Sequence, residues 1–201
     1  MNLPNKLTIG RMCAIVVIIV ISLIKPLREI VVFGSVTLDL LLLLIIFALA
    51  SFTDFLDGYI ARKQNIVTNF GKFMDPLADK LLVMSTLIVL LERGKFSVFG
   101  IGLGFAIIII LAREFAVTGL RTIAADNNQV IAASKLGKAK TVSQMVMIIF
   151  LLIDCYPFTF IGGNARDITA LVLISIATLL TLISGVDYFV KNAHVLKENK
   201  N

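Results

Sequence analysis

From Ile168 to Val186 the chain reads ITALVLISIATLLTLISGV without a charged residue, and uncharged runs recur at Met12–Ile24, Leu40–Thr53, Leu81–Leu91, Phe96–Ala112 and Thr141–Ile153. Such runs restrict the fold more than any other feature, because lipid offers no partners for backbone polar groups and leaves only helices or closed barrels. The runs show no period-2 alternation, so helices are expected. Hydrophobic residues make up 58% of the 201 and charged residues 16%, against about 25% charged in soluble domains. A spanning helix needs about 20 apolar residues. The fourth and sixth runs nearly suffice alone, and the others must borrow polar flanks. Six spans are expected at 8–32, 37–61, 70–92, 97–120, 139–156 and 167–189, in an all-α integral membrane protein with one membrane-embedded domain over residues 1–201. The first run is followed by Lys25, Pro26 and Arg28 rather than a small-residue cleavage site, so it is read as a retained helix and not a secretory signal. The start, MNLPNKLTIGR, is too polar to span and is expected to lie along the interface, with a turn at Pro4 and Asn5.

Twelve Lys and Arg residues fall on one side of the six expected spans and five (Lys25, Arg28, Arg93, Lys95 and Arg166) on the other, with Lys80 and Arg113 inside helices. The positive-inside rule therefore puts both termini in the cytoplasm. The net charge of +6 reads as topology and attraction to anionic membrane lipids rather than nucleic-acid binding. Cys13 and Cys155 fall near opposite ends of their spans, so no disulfide is expected, and no cysteine–histidine grouping suggests zinc. His194 reads as a solvated surface residue. The segment Ala124–Lys140 is the one long loop expected.

Against this background the stretch DFLDGYIARKQNIVTNFGKFMDPLADK, residues 54–80, carries four aspartates. Asp54 and Asp57 are three apart and Asp75 and Asp79 four apart, so on helices each pair shares a face. Asp75 before Pro76 also has the form of a helix start. One ionisable residue in a membrane helix costs about 2.5–3.5 kcal/mol, and four unpaired ones on the order of 10 kcal/mol. Arg62 and Lys80 could neutralise two, leaving at least two for cations or a water-filled cavity. Hard oxygen donors without histidine or thiolate favour Mg²⁺ or Mn²⁺, and two such ions on four carboxylates suit a diphosphate and phosphoryl-type transfer.

The string DFLDGYIAR, eight further residues, then GKFMDPLAD matches the signature DxxDGxxAR–x8–GxxxDxxxD, and the chain is identified on it as resembling the CDP-alcohol phosphotransferases. The segments NLPNKLTIGR, AREFAVTGLRTIAA and VIAASKLGKAKTVSQM resemble bacterial members of that family that take sn-glycerol 3-phosphate as acceptor. The resemblance implies a six-helix membrane enzyme, a homodimer, with a polar cavity open to the cytoplasm of a bacterial cell. It implies that Asp54, Asp57 and Asp75 hold two divalent cations, Mg²⁺ or Mn²⁺. Asp79 would activate the acceptor hydroxyl and also border the metal. Gly58, Ala61, Arg62 and Gly71 would line the CDP-diacylglycerol site, with Asn5 and Thr8 at its border.

A phosphorylated acceptor needs further cations. Arg113, inside an apolar helix, is the most informative candidate, because a charge there is costly and usually functional; a salt bridge to Glu114 or to an aspartate of the cluster would be the plain structural alternative. Arg121, Lys135 and Lys138 are candidates through the resemblance, whereas Lys140 is accounted for by the positive-inside rule. Three alternatives stay open: another acceptor (serine, inositol phosphate or phosphatidylglycerol), a divalent-cation transporter whose carboxylates carry the ion, and a prenyltransferase.

Overall fold

A computed structural model describes the backbone of residues 3–64, 69–127, 129, 131–132 and 134–196, and the side chains of these except residues 3–7, 54–64, 69–73, 75, 76 and 196. The described elements are α1 (Leu3–Leu23), α2 (Lys25–Glu29), β1 (Val31–Phe33), β2 (Val36–Thr37), α3 (Leu38–Gln64), α4 (Asn69–Glu92), β3 (Ser97–Val98), β4 (Ile101–Gly102), α5 (Phe105–Asp126), α6 (Lys135–Leu152) and α7 (Ala165–Lys191). Short 3₁₀ turns occupy Phe158–Ile161 and Ala193–Leu196. The chain packs as two compact units, one of residues 1–95 with 151–154, the other of residues 96–150 with 155–201.

Several boundaries differ from the sequence expectation. Helix α1 begins at Leu3, so Pro4 and Asn5 form helix rather than a turn; proline is compatible with a first turn, where its missing N–H has no partner to lose. The first span does not run on to residue 32. Helix α1 stops at Leu23, Ile24 is extended, and Pro26 sits in the first turn of α2. The fourth span begins later than residue 97, because Ser97–Gly102 is a two-stranded hairpin with Ser97 opposite Gly102 and Val98 opposite Ile101. Phe99 and Gly100 both take positive φ, 51° and 77°, the geometry that tight hairpin turns require. The backbone N–H of Phe99 donates to Asp167 at 2.9 Å and holds that turn. The expected long loop is also shorter, since α5 continues to Asp126 and α6 starts at Lys135.

In the first unit α1 packs on α3 and α4. Ile15 and Ile18 of α1, Leu43 and Phe47 of α3, and Leu82 and Leu87 of α4 are buried. Val16, Ile19, Val20 and Leu23 of α1 remain exposed, as expected of a helix with lipid on one side. At the end of this unit formed by the N-terminus of α3 and the C-terminus of α4, Asp39 is fully buried and pairs with Arg93 at 3.0 Å. Thr37 also donates to Asp39. Arg28 pairs with Glu92 at 2.8 Å, and Lys95 with Asp154 at 2.8 Å. Asp39 lies in the first turn of α3, where the helix dipole favours a negative charge. Asp39→Ala would strand Arg93 and should cost about 3–5 kcal/mol. The check is a lower unfolding midpoint in detergent, with substrate KM values unchanged in the surviving folded protein.

In the second unit, α5 packs on α7. Ala165–Lys191 is, among the described residues, the one helix long and apolar enough to cross a membrane; its 27 residues extend about 40 Å at 1.5 Å each. Thr8–Leu23 and Leu38–Thr53 are shorter apolar stretches. The sides of α7 are reversed relative to a soluble helix. Ile168, Val172, Leu179, Ile183, Val186 and Val190 are exposed, whereas Ala170, Ala177, Thr178, Thr181, Ser184 and Gly185 are buried. Small and hydroxyl residues let helices approach closely and bond across the contact, which is how helices associate in lipid. Gln144 of α6 donates to Thr181 at 3.0 Å, and Thr181 in turn donates to the Ala177 carbonyl at 2.6 Å.

Candidate functional site

The four aspartates stand on two consecutive helices of the first unit. Asp54 and Asp57 are in the second half of α3, and Asp75 and Asp79 in the first half of α4. Their spacings of three and four residues therefore operate on helical backbone, as expected. The side chains of Asn5, Asp54, Asp57, Gly58, Ala61, Arg62, Gly71 and Asp75 lie outside the described residues. Asp79 is described and half-buried, between the fully buried Ala78 and the half-buried Lys80. Among the described residues no group of three or more His, Cys, Asp or Glu side chains could hold a metal; of the four aspartates only Asp79 belongs to that set.

One expectation at this place is corrected. Asp75 and Pro76 do not start a helix, because α4 begins at Asn69. Pro76 instead lies inside the helix, where its missing N–H leaves the carbonyl of Lys72 without an intrahelical donor.

Thr8 and Arg11 of α1, one turn apart, are 1% and 2% exposed. Sequence reasoning counted Arg11 only as a cytoplasm-side cation. A buried guanidinium must be compensated. Beside Arg11 runs an apolar groove of about 400 Å³ between α1 and α3, lined by Cys13, Val17, Ile46, Leu49 and Ala50 and ending at Thr53, the residue before Asp54.

The second unit holds the candidate acceptor residues. Arg113 of α5 donates through Nη2 to Ser184 of α7 at 2.7 Å and through Nη1 to Oε1 of Glu114 at 3.2 Å. Lys140 of α6, 4% exposed, donates to the same Glu114 oxygen. The salt bridge weighed as a plain alternative for Arg113 therefore exists, but the acid is shared. Two cations, Arg113 and Lys140, thus converge on one carboxylate in this buried cluster. Lys140, assigned from sequence only to surface charge balance, belongs to the cluster. Its signal was Glu114: an acid in an apolar helix next to one arginine, opposite a lysine at the start of the next apolar run.

Arg121, two helical turns further along α5, donates through Nε to the hydroxyl of Tyr188 at 2.8 Å. Tyr188 is 2% exposed and packs with Val117, Leu120 and Ala124. It also lines an open pocket of about 550 Å³ at the end of α7, bounded by Gln129, Ile131, Ser134, Asp187, Lys191 and His194. His194 is exposed, as expected. Lys135 opens α6 directly after Ser134, whose hydroxyl caps that helix by accepting the Gly137 N–H at 3.0 Å. Lys135 and Lys138 are exposed and are not brought to the Arg113 cluster. Cys13 is exposed and Cys155 buried, both as free thiols.

The model of the family described as CDP-alcohol phosphatidyltransferase matches residues 1–183 of the chain. The chain is 42% identical over 199 residues to the CDP-diacylglycerol–glycerol-3-phosphate 3-phosphatidyltransferase of Bacillus subtilis, covering 98% of this chain and 97% of that one. The protein of the same name from Rickettsia bellii is 41% identical over 191 residues, covering 94% and 93%. The one from Mycoplasma pneumoniae is 39% identical over 167 residues, covering 79% and 70%.

Proposed function

The chain belongs to the CDP-alcohol phosphatidyltransferase family, and from that premise we propose that it transfers the phosphatidyl group of CDP-diacylglycerol to sn-glycerol 3-phosphate, giving phosphatidylglycerophosphate and CMP. The observation that carries the choice of acceptor is the 42% identity over 98% of the chain with a relative named for this reaction.

The donor set on α3 and α4, four carboxylates without histidine or thiolate, fits hard divalent cations. Held by Asp54, Asp57, Asp75 and Asp79, two Mg²⁺ or Mn²⁺ ions would neutralise the diphosphate and the departing CMP. The residues of the chain then have separate tasks. Asp79 accepts the proton of the acceptor's primary hydroxyl. A new bond forms from that oxygen to the phosphorus bearing diacylglycerol, and the bond from the same phosphorus to the CMP oxygen breaks. Asn5, Thr8, Gly58, Ala61, Arg62 and Gly71 border the CDP moiety. The groove between α1 and α3, ending at Thr53, offers an apolar bed for an acyl chain.

The acceptor's phosphate is assigned to Arg113, with Arg121, Lys135 and Lys138 as further cations. A cluster of low exposure in which two cations meet one carboxylate supports this, since charge interactions strengthen away from water. The Tyr188 hydroxyl receives Arg121. Tyr188→Phe should therefore raise the KM for glycerol 3-phosphate about threefold, the loss of one hydrogen bond to a charged group in a partly wet site. Steady-state kinetics with saturating lipid substrate would measure it.

The remaining assignments rest on charge distribution and family membership. They are six spans, termini and active site on the cytoplasmic side of a bacterial cell membrane, one catalytic domain and a homodimer. The deciding assay combines purified protein in detergent, Mg²⁺, CDP-diacylglycerol and labelled glycerol 3-phosphate. CMP release with this acceptor and not with serine, inositol phosphate or phosphatidylglycerol is expected. No CMP release with any acceptor would end the enzyme reading and favour a cation transporter.

A further inference from the structure

We infer that Glu114 and Gly185 are positioning residues for Arg113, and that through it they set the affinity for the acceptor's phosphate; this rests on the assignment of Arg113 proposed above. Neighbouring residues on a helix do not face each other, so Arg113 must bend sideways along α5 to reach Glu114 at 3.2 Å. Two contacts with α7 fix that bend. Ser184 accepts the opposite end of the guanidinium at 2.7 Å. At the next residue, Gly185, a Cβ would stand 3.1 Å from Cγ of Arg113. The arginine stem thus lies on bare α7 backbone, and a methyl group there would have to displace it.

Glu114 has a second role in this arrangement. Because Oε1 also takes Lys140, one carboxylate orients two cations at once. Nε of Arg113 is buried without a hydrogen-bond partner among the described residues, so the guanidinium keeps a donor unspent. Side-chain exposures of 12%, 15% and 5% for Arg113, Glu114 and Lys140 keep the cluster away from water, where a fixed geometry has its largest effect.

Positioning and plain electrostatics predict opposite signs. Glu114→Gln removes the negative charge and makes the cluster more positive by one unit. If Glu114 acted only by reducing positive charge, phosphate would bind more tightly. If it orients Arg113, binding weakens despite the added charge. Steady-state kinetics on Glu114→Gln, Gly185→Ala and Arg113→Ala, with unfolding midpoints of each in detergent, test the inference. Glu114→Gln and Gly185→Ala are each expected to raise the KM for glycerol 3-phosphate roughly tenfold, with kcat within about twofold and the KM for CDP-diacylglycerol unchanged. An unchanged or lowered KM in Glu114→Gln overturns the inference. If Gly185→Ala unfolds, Glu114→Gln alone decides. If Arg113→Ala itself leaves that KM unaltered, the assignment of Arg113 falls and the inference with it. If Arg113→Ala raises it and the other two do not, only the inference falls.

Discussion

Asp79→Asn should lower kcat by roughly 10²–10⁴-fold, the range a general base contributes, while leaving CDP-diacylglycerol binding largely intact. Asparagine keeps the shape of the side chain and one acceptor oxygen, but it cannot take a proton at neutral pH. The expected split follows from the position of Asp79 on α4, four residues after Asp75 and beside a fully buried alanine. Such a site can present a carboxylate from a rigid element without large rearrangement. Binding of the nucleotide lipid is measured by equilibrium methods and turnover by CMP release. Asp57→Asn supplies the contrast, because loss of a residue assigned to metal should weaken lipid binding and raise the Mg²⁺ requirement together. Normal turnover in Asp79→Asn would remove its role as base. A raised Mg²⁺ requirement with turnover restored at saturating metal would move Asp79 to the metal-holding group instead.

Arg113→Ala should raise the KM for glycerol 3-phosphate by roughly 30-fold, within the range of about 2–5 kcal/mol for truncating one partner of a buried charge pair. Without Arg113 the cluster loses one of the two cations that meet at Glu114, while the carboxylate keeps its charge. Arg113→Lys should not restore the affinity. A single ammonium on a flexible stem cannot reproduce the planar fork that reaches Ser184 from one nitrogen and Glu114 from another. An unchanged KM in Arg113→Ala would return the residue to helix packing, where its contacts with Glu114 and Ser184 are sufficient explanation.

The candidate site was legible in the sequence where its logic is local. The aspartate spacings survive because α3 and α4 are helical through Asp54, Asp57, Asp75 and Asp79, and a period of 3.6 residues turns spacing into a shared face. The same locality makes proline and glycine readable, although not always in the expected direction. Pro26 broke the first span and Gly100 completed a hairpin turn, while Pro76 stayed inside a helix that composition suggested it would open.

Lys140 and Arg11 were far less legible. Each sits near the polar end of an apolar run, where the positive-inside rule already accounts for a cation. Their burial depends on which helix lies opposite. Lys140 meets Glu114, 26 positions earlier in the chain, and no periodicity connects them. Likewise Thr181, Ser184 and Tyr188 read as a scatter of polar residues in α7 until Gln144, Arg113 and Arg121 are found across from them.

The sequence by itself determined the membrane-type composition, the helical class of the apolar runs, the acidic motif and the family. All of these follow from the identity and spacing of residues along one chain direction. Only the tertiary structure decided that Arg113 and Lys140 share one carboxylate, that Gly185 makes room for the arginine, and that the polar side of α7 turns inward. The physical reason is that a charge in a protein of this kind is compensated across helices. The compensating group is set by packing of helix against helix, which spacing within a single helix does not encode.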